Sequence, residues 1–294
     1  MTNETRKYNM NHVERGIALI INVQNYDAPN PFELEERKWS EKDVENLEKT
    51  LNFLEFKVIL SLDSTKSEIE KALKEQAELD HSQSDCFLCV VMSHGNEDNI
   101  VTRDNLEMSF KEIMEPIKVS KSLENKPKLF FFQACRGDHE MEIARSKSRS
   151  DSPELNSGEQ ITYDDQTRRD NTSVSDASNT NKKALSFAET DLLVYNATIP
   201  KHYAYGTVTN GTYFIQSVCN VLREEAYKNL PNNLPLSQMI TIINQRVKEN
   251  AQEIQVAESI IRLTKEVFFT PKYVSSNFLS VLLFFDITQN STVI

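Results

Sequence analysis

Short apolar runs that alternate with amphipathic segments are the feature of this sequence that most constrains its fold. Each run is shorter than a typical helix and ends in polar residues, which is typical of a strand buried on both faces of a parallel sheet. Amphipathic helices are predicted between the runs, so we expect an α/β protein with a parallel sheet covered by helices on both faces. The predicted strands are 16–22, 56–60, 86–92, 129–132 and 191–195.

Helix signals fill most of the intervals between these strands. Ser40 is expected to be the N-cap of the first helix, and Ser64 or Thr65 the N-cap of the second. A turn is expected at 207–211. Further helices are predicted at 109–117, 213–227 and 236–249, and further strands at 259–263 and 267–269.

Composition divides the chain into five parts. Residues 1–12 are a short N-terminal segment, 13–139 carry the first four strands, and 187–272 carry the remaining elements. Between them, residues 140–186 are rich in Ser, Asn, Asp, Arg and Lys, so we expect a disordered linker that cannot bury enough apolar surface to fold. Residues 273–294 form a C-terminal extension with no clear assignment.

Charge and cysteine content exclude several classes of protein. The net charge of −11 argues against nucleic acid as a partner, because no basic excess is available to displace counterions. Four cysteines in 294 residues are too few for a disulfide scaffold, and Cys86 and Cys89 are expected in the core on opposite faces of one strand. No signal peptide, membrane span, metal site or cofactor site is evident, so a cytoplasmic location is expected.

Two predicted strands end in residues suited to thiol chemistry. One strand ends in Ser93-His94-Gly95, and the next parallel strand ends in Gln133-Ala134-Cys135-Arg136-Gly137. Because the carboxyl ends of parallel strands share one edge of a sheet, His94 and Cys135 are expected to converge. Either residue alone would more often be structural, as a buried thiol or a satisfied histidine. Together they favour nucleophilic catalysis, with backbone N–H groups of Gly95 and Cys135 facing the developing oxyanion.

These motifs resemble those of the caspases, and in particular of the short-prodomain effector type. The Gln-Ala-Cys-Arg-Gly sequence is a caspase signature when a histidine lies some tens of residues upstream. Other shared motifs are Arg15–Asn22, Asp85–Phe87, Lys126–Phe130, Gly211–Gln216 and Leu263–Glu266. The resemblance implies a six-stranded, mostly parallel sheet with helices on both faces, made of a large and a small subunit, and dimerisation through the small subunits.

The resemblance also implies cleavage of peptide bonds after aspartate. Cys135 would be the nucleophile and His94 the general acid/base, with no evident third member of a triad. Arg37 and Gln133 match two of the three residues that usually bind the substrate aspartate, and a bidentate arginine suits a carboxylate. Tyr203 and Tyr205 are candidate aromatic walls for neighbouring subsites, although ordinary packing is an equal alternative.

Two positions depart from the family pattern. Trp39 replaces a glycine near Arg37, and Gly206 stands where the small subunit usually has a second pocket arginine. Loss of that arginine is expected to lower kcat/KM by about two orders of magnitude or more. The loop at 247–257 is short, so distal specificity is not predicted.

Processing is expected in the linker at Asp151 and Asp176, each followed by a small residue, while Asp165 and Asp170 are poorer candidates. The activator would be another protease, because no recruitment domain is found. Three hypotheses remain open: an apoptotic zymogen of an Asp-directed endopeptidase, a weakly active or inactive homologue that dimerises with and modulates an active caspase, and a protease of altered specificity. Expected partners are peptide substrates, the activating protease and a homodimer or heterodimer partner, with neither nucleic acid nor membrane.

Overall fold

A computed structural model describes residues 6–137, 161–163, 189–230 and 232–272 of the chain. The described elements, in chain order, are β1 (Ile17–Asn22), α1 (Ser40–Phe53), β2 (Lys57–Leu62), α2 (Lys66–Glu78), β3 (Phe87–Met92), β4 (Asn99–Val101), β5 (Glu107–Ser109), α3 (Phe110–Lys118), a 3-10 turn (Lys121–Leu123), β6 (Lys128–Gln133), β7 (Ile161–Tyr163), β8 (Leu192–Asn196), β9 (Tyr205–Thr207), β10 (Gly211–Thr212), α4 (Tyr213–Glu225), α5 (Leu236–Asn250) and β11 (Glu258–Ile261).

The central sheet has six strands in the order β11-β8-β6-β3-β1-β2. Every neighbouring pair in it is parallel except β11 with β8, which is antiparallel. The predicted fold class is therefore confirmed. β3 and β6 lie in the middle of this sheet and are buried along their whole length, so their carboxyl ends are held rigidly.

Alternating side chains of the strands build a separate core on each face of the sheet. On β1, Ala18 and Ile20 belong to the core covered by α1, α4 and α5, while Leu19 and Ile21 belong to the core covered by α2 and α3. This alternation is the period of two that strand geometry imposes. Cys86 and Cys89 fall in different cores, as predicted.

Two local predictions were wrong. Ser40 is the first residue of α1 rather than its N-cap: Trp39 takes that position with no side-chain cap, and the Ser40 hydroxyl accepts from Asn22 Nδ2 at 3.0 Å. Residues 267–269 form no strand; Val267 and Phe269 are buried core residues, and the Val267 carbonyl accepts from Leu236 N at the start of α5. Their apolar character reflects docking against the helices rather than strand pairing.

Other predictions hold with small shifts of boundary. Thr65 is the N-cap of α2 and forms a capping box with Glu68. The expected turn joins β9 to β10. The short strands β4, β5, β7, β9 and β10 were not predicted, since elements of two or three residues carry almost no periodicity.

Candidate active site

His94 and Cys135 follow paired strands at one edge of the sheet. Met92 at the end of β3 is in register with Gln133 at the end of β6, and Ser93 N donates to the Gln133 carbonyl at 3.2 Å. His94 and Cys135 therefore occupy matched positions just beyond two adjacent strands. This is the convergence that the β-α-β pattern predicted.

The Cys135 thiol lies against the chain that leads into β9. Sγ accepts from Ala204 N at 3.3 Å and lies 3.8 Å from the Ala204 carbonyl oxygen. The residue is 0% exposed. The contact residue Ala204 immediately precedes β9, so the thiol lies next to the start of that strand.

The other three cysteines are poor nucleophiles. Burial raises the pKa of the Cys86 and Cys219 thiols to about 12 and also raises the pKa of Cys89. Such thiols stay protonated at neutral pH, and the thiolate is the reactive form. Cys135 is the cysteine that combines a strand-end position with a neighbouring histidine.

The orientation of the His94 ring is set by a backbone carbonyl. Nε2 lies 2.9 Å from the Glu35 carbonyl oxygen, in the loop between β1 and α1. Because a carbonyl can only accept, Nε2 must carry a proton. In neutral imidazole the other nitrogen, Nδ1, is then the basic one. The sequence offered no third member of a triad because a main-chain carbonyl has no residue signature.

Tyr26 supports His94 from the same loop. Its hydroxyl accepts from His94 N at 3.1 Å and lies 3.0 Å from Ser93 Oγ, and the two rings are 5.3 Å apart between centroids. Tyr26 was not identified from the sequence. Its place in a loop rich in Asn, Asp and Pro gave no periodic signal.

Gly95 comes close to the backbone of the cysteine loop. A Cβ built on Gly95 would lie 2.5 Å from the Asn99 carbonyl oxygen, 3.1 Å from Ala134 Cβ and 3.3 Å from the Cys135 carbonyl oxygen. Only glycine allows this approach. The backbone of Gly95 is therefore beside that of Cys135, as the oxyanion-hole prediction requires.

Arg37 is buried at the same edge of the sheet. Its Nη1 donates to the Val23 carbonyl at 2.9 Å and lies 3.3 Å from Asn22 Oδ1, just beyond β1. Gln133 is the last residue of β6 and is also fully buried. Gln133 ends β6, His94 follows β3, and the Arg37 guanidinium contacts the end of β1, the next strand in the sheet.

Tyr203 and Tyr205 stand at the start of β9 with their rings 6.1 Å apart in an edge-to-face arrangement. Tyr205 is buried, whereas Tyr203 is half-buried. Gln255 fixes this segment: its Oε1 accepts from Tyr205 N and its Nε2 donates to the Ala197 carbonyl, both at 2.8 Å. Gln255 is 0% exposed and was not identified from the sequence.

Gly206 has no room for a side chain. A Cβ built there would lie 2.7 Å from Thr212 Cα and 2.8 Å from the Gly211 carbonyl oxygen, both backbone atoms of β10. The position that the family pattern gives to a second arginine is thus occupied by tight pairing of β9 with β10. Asp43 of α1 holds β10 in place, accepting from Thr212 N and Oγ1 at 2.9 Å each.

Several sequence predictions lie outside the described residues. These are the processing candidates Asp151 and Asp176, most of the linker 140–186, and the extension 273–294. Within the described ranges, no cluster of three metal-ligating side chains is present. In the same ranges, no helix has the length and apolar character needed to cross a bilayer.

An α/β sheet with a histidine and a cysteine at adjacent strand ends is typical of a class of cysteine peptidases. Similarity to known proteins shows the family within that class. Residues 15–268 match the caspase domain family. Caspase-8 of Rattus norvegicus is 30% identical over 280 residues, which cover 92% of this chain and 54% of that protein. Caspase-7 of Gallus gallus is 30% identical over 279 residues, covering 90% and 80%.

The crystal structure of caspase-1 from Spodoptera frugiperda has the same fold. It matches with a TM-score of 0.71 and 25% sequence identity over 94% of this chain and 97% of that chain. The chain therefore belongs to the caspase family. It spans about half the length of the rat caspase-8 it matches, and most of chicken caspase-7.

Proposed function

We propose that this chain is an aspartate-directed cysteine endopeptidase of the effector type, made as a zymogen and activated by cleavage in the linker 140–186. The observation that carries the proposal is the placement of Cys135 and His94 just beyond two paired strands, with His94 Nε2 bonded to the Glu35 carbonyl. That arrangement leaves Nδ1 as the proton carrier for the thiol. We further propose that the enzyme acts in the cytoplasm, in apoptosis.

The proposed reaction uses the groups at the sheet edge. The Cys135 thiolate attacks the carbonyl carbon of the substrate aspartate, and N–H groups of Gly95 and Cys135 bind the oxyanion. One such donor is worth about 10²–10³ in rate. His94 Nδ1 then gives a proton to the leaving amine, and a thioester remains. Water hydrolyses the thioester, which releases the new carboxylate and restores the thiol.

Specificity for aspartate would come from Arg37 and Gln133. Arg37 is completely buried, and a charge-assisted bond between a guanidinium and a carboxylate is stronger than a neutral hydrogen bond. Gly206 contributes no charge, so we expect a weaker first subsite than a pocket with two arginines would give. Tyr203, partly exposed beside β9, would contact the neighbouring substrate residue.

Dimerisation would use the outer edge of the sheet. β11 ends the sheet within the described residues, and Ile260 and Ile261 on it are 39% and 47% exposed. Apolar side chains on an edge strand favour a partner strand. A homodimer, or a heterodimer with another caspase, would cover them.

A second function is favoured by one observation. Gly206 is packed against β10 and leaves no room there for a second arginine, which favours a weakly active or inactive chain that modulates an active caspase as a dimer partner. In that case the effect on the partner would survive Cys135→Ala.

The test is an assay of purified protein cut in the linker, with acidic tetrapeptides that end in Asp, and with the same peptides ending in Asn. Turnover after Asp that is lost in Cys135→Ala supports the proposed endopeptidase. Equal turnover after Asn would instead indicate altered specificity. If the chain shows no turnover, and if the Cys135→Ala variant alters the activity of an active caspase as much as the unmodified chain does, the modulator function is supported.

A further inference from the structure

Asp63 is the first residue after β2, at the same edge of the sheet as His94 and Cys135. β2 and β3 both pair with β1 in the parallel direction, so the carboxyl ends of the three strands lie together. Asp63 N donates to the Asn22 carbonyl at 2.8 Å, which continues the pairing of β2 with β1 by one residue. Asp63 has a φ of 47°, in the left-handed region that Asp and Asn adopt more readily than most residues. This turn places the Asp63 side chain beside the segment that follows β1.

The Asp63 carboxylate holds that segment with three hydrogen bonds. Its Oδ1 accepts from Gln24 N at 2.7 Å and from Asn25 N at 3.0 Å, and its Oδ2 accepts from Asn25 Nδ2 at 2.7 Å. Bonds to an ionised acceptor are stronger than bonds between neutral groups. Two consecutive peptide groups are thus fixed in a stretch that lies between β1 and α1, outside both elements.

A first connection leads from this segment to the backbone of His94. Tyr26 follows Asn25 directly, and its hydroxyl accepts from His94 N at 3.1 Å. The same hydroxyl lies 3.0 Å from Oγ of Ser93, the residue before His94. A shift of Asn25 would therefore move Tyr26, and with it a support of the strand end that carries His94.

A second connection leads to the imidazole of His94 and to Arg37. The Gln24 carbonyl accepts from Arg37 N at 3.0 Å, and the Val23 carbonyl accepts from Arg37 Nη1 at 2.9 Å. Two residues before Arg37, the Glu35 carbonyl accepts from His94 Nε2 at 2.9 Å. The position of Gln24 therefore affects both the guanidinium and the carbonyl that orients the imidazole.

We propose that the Asp63 carboxylate is a positioning group for the proposed endopeptidase reaction. It sets the placement of the His94 imidazole and of the Arg37 guanidinium through the segment between β1 and α1. The proposal rests on the proposed function and adds to it a residue that acts only through others. One carboxylate would thereby align the proton carrier with the first subsite.

A purely local role, in which Asp63 ends β2 and helps to begin α2, is the alternative. The N-cap of α2 is Thr65, and its capping box is completed by Glu68 without Asp63. Within the described residues, the three side-chain bonds of Asp63 all go to Gln24 and Asn25. The contacts of the carboxylate thus favour a role at the site over a role at the start of the helix.

Three substitutions separate the carboxylate from the backbone turn. Asp63→Gly removes every side-chain acceptor and tolerates the left-handed conformation. Asp63→Asn also tolerates it and keeps one carbonyl oxygen for the N–H groups of Gln24 and Asn25. The matched control is Asn125→Gly, because Asn125 has a φ of 59° in an exposed turn before β6, at the amino end of the strands.

The first experiment measures turnover of acidic tetrapeptides by the full chain cut in the linker. In Asp63→Gly, kcat should fall about 10–100-fold, because a small misplacement of a catalytic group has an effect of that size. Preference for Asp over Asn peptides should fall about tenfold, since Arg37 is displaced as well. Asp63→Asn should stay within about threefold of the unmodified chain, and Asn125→Gly should match it. An unchanged kcat in Asp63→Gly, or a loss that Asp63→Asn shares in full, would overturn the proposal.

The second experiment asks whether Asp63 acts through Tyr26. If both residues support His94 by one path, the fall in kcat of Asp63→Gly combined with Tyr26→Phe should be smaller than the product of the two separate falls. We expect a difference of about threefold or more, as is usual for coupled neighbours. Separate falls that multiply in full would show that the two residues act independently, which contradicts the proposed connection.

The third experiment does not depend on activity. The full chain has five histidines, and NMR of isotope-labelled histidine reports their ring nitrogens, with His94 assigned from the signal that His94→Gln removes. Asp63→Gly should shift the Nε2 resonance of His94, whereas Asn125→Gly should leave it in place.

This measurement separates failure of the positioning role from failure of the proposed function. A shifted His94 resonance in a chain whose unmodified form shows no turnover supports the positioning role and removes only the endopeptidase. An unshifted resonance in a chain whose unmodified form is active overturns the positioning role and leaves the endopeptidase intact. An unshifted resonance without turnover removes both.

Discussion

Arg136 and Glu258 form an ion pair with 2.5 Å between Nη1 and Oε2, which joins the residue after Cys135 to the first residue of the edge strand β11. The same guanidinium donates to the Glu97 carbonyl at 2.8 Å and pairs with Asp98 at 3.3 Å. The Arg136 side chain therefore connects the loop that carries Cys135 to the loop before β4 and to the outer edge of the sheet.

Glu258→Ala should loosen the cysteine loop. Arg136 is buried, so the loss of a charge-assisted bond is expected to lower the free energy of unfolding by about 1–3 kcal/mol, and turnover should fall more than affinity. Thermal unfolding and steady-state kinetics test this. Glu253→Ala, which removes an exposed partner of Lys248, is the control. Equal effects of the two variants would contradict the role of the ion pair.

Tyr26→Phe should impair turnover without changing the fold. The hydroxyl accepts from the backbone N–H of His94, and without it the backbone segment that carries the imidazole loses one of its supports. We expect kcat to fall roughly 10–100-fold with KM nearly unchanged. His94→Ala should cost about 10²–10⁴ in kcat. If Tyr26→Phe changes KM alone, Tyr26 acts on substrate binding and not on the histidine.

Gly206→Arg should fail to restore a second pocket arginine. A side chain there collides with the backbone of β10, so the variant is expected to lose about 1–3 kcal/mol of stability and to lose activity. Gly206→Ala should behave similarly, and an arginine at the exposed turn residue Val208 controls for charge. An increase of kcat/KM on Asp peptides in Gly206→Arg would refute this prediction.

Gln255→Leu should displace β9. The substitution leaves Tyr205 N and the Ala197 carbonyl without their buried partner, at a cost of about 2–4 kcal/mol for the two groups together. Urea denaturation measures the loss, and KM for peptide substrates should rise. Gln245→Leu, on the exposed face of α5, is the matched control and should be neutral.

His81 should make stability depend on pH. Burial lowers its pKa below 6.5, partly offset by the hydrogen bond of Nε2 with the Gln76 carbonyl at 2.8 Å. The unfolded chain therefore binds the proton more tightly, so this contribution is complete above about pH 6.5 and is lost as pH falls below it. Denaturation between pH 7.5 and 5 should show a smaller decline in His81→Gln than in the unmodified protein. Parallel curves would exclude the effect.

The sheet was predictable because its strands are long enough to carry a pattern. β1, β3 and β6 contain continuous apolar runs of five, six and four residues, and the pairing of β3 with β6 places His94 and Cys135 just beyond adjacent strand ends. The cleft was much less predictable. β7, β9 and β10 have two or three residues each, and their pairing depends on long-range contacts that no local window contains.

The residues missed at the site share one physical property. Glu35 acts through its carbonyl, Tyr26 lies in an irregular loop, and Gln255 bonds only to main-chain atoms. None of these roles imposes a spacing on the sequence. Ser40 was wrongly predicted as an N-cap because serine is a common residue at that position. In the structure its hydroxyl accepts a hydrogen bond from Asn22 Nδ2 instead of capping the helix.

The pairing of β6 with β8 joins parts of the chain that precede and follow the linker, from Lys128 with Leu192 to Phe132 with Asn196. The Tyr8 hydroxyl donates to Asp191 at 2.5 Å, tying the N-terminal segment to the start of β8. A nicked molecule would therefore remain one particle of unchanged native mass, although it gives two bands under denaturing conditions. Nicking would therefore create new termini rather than separate subunits.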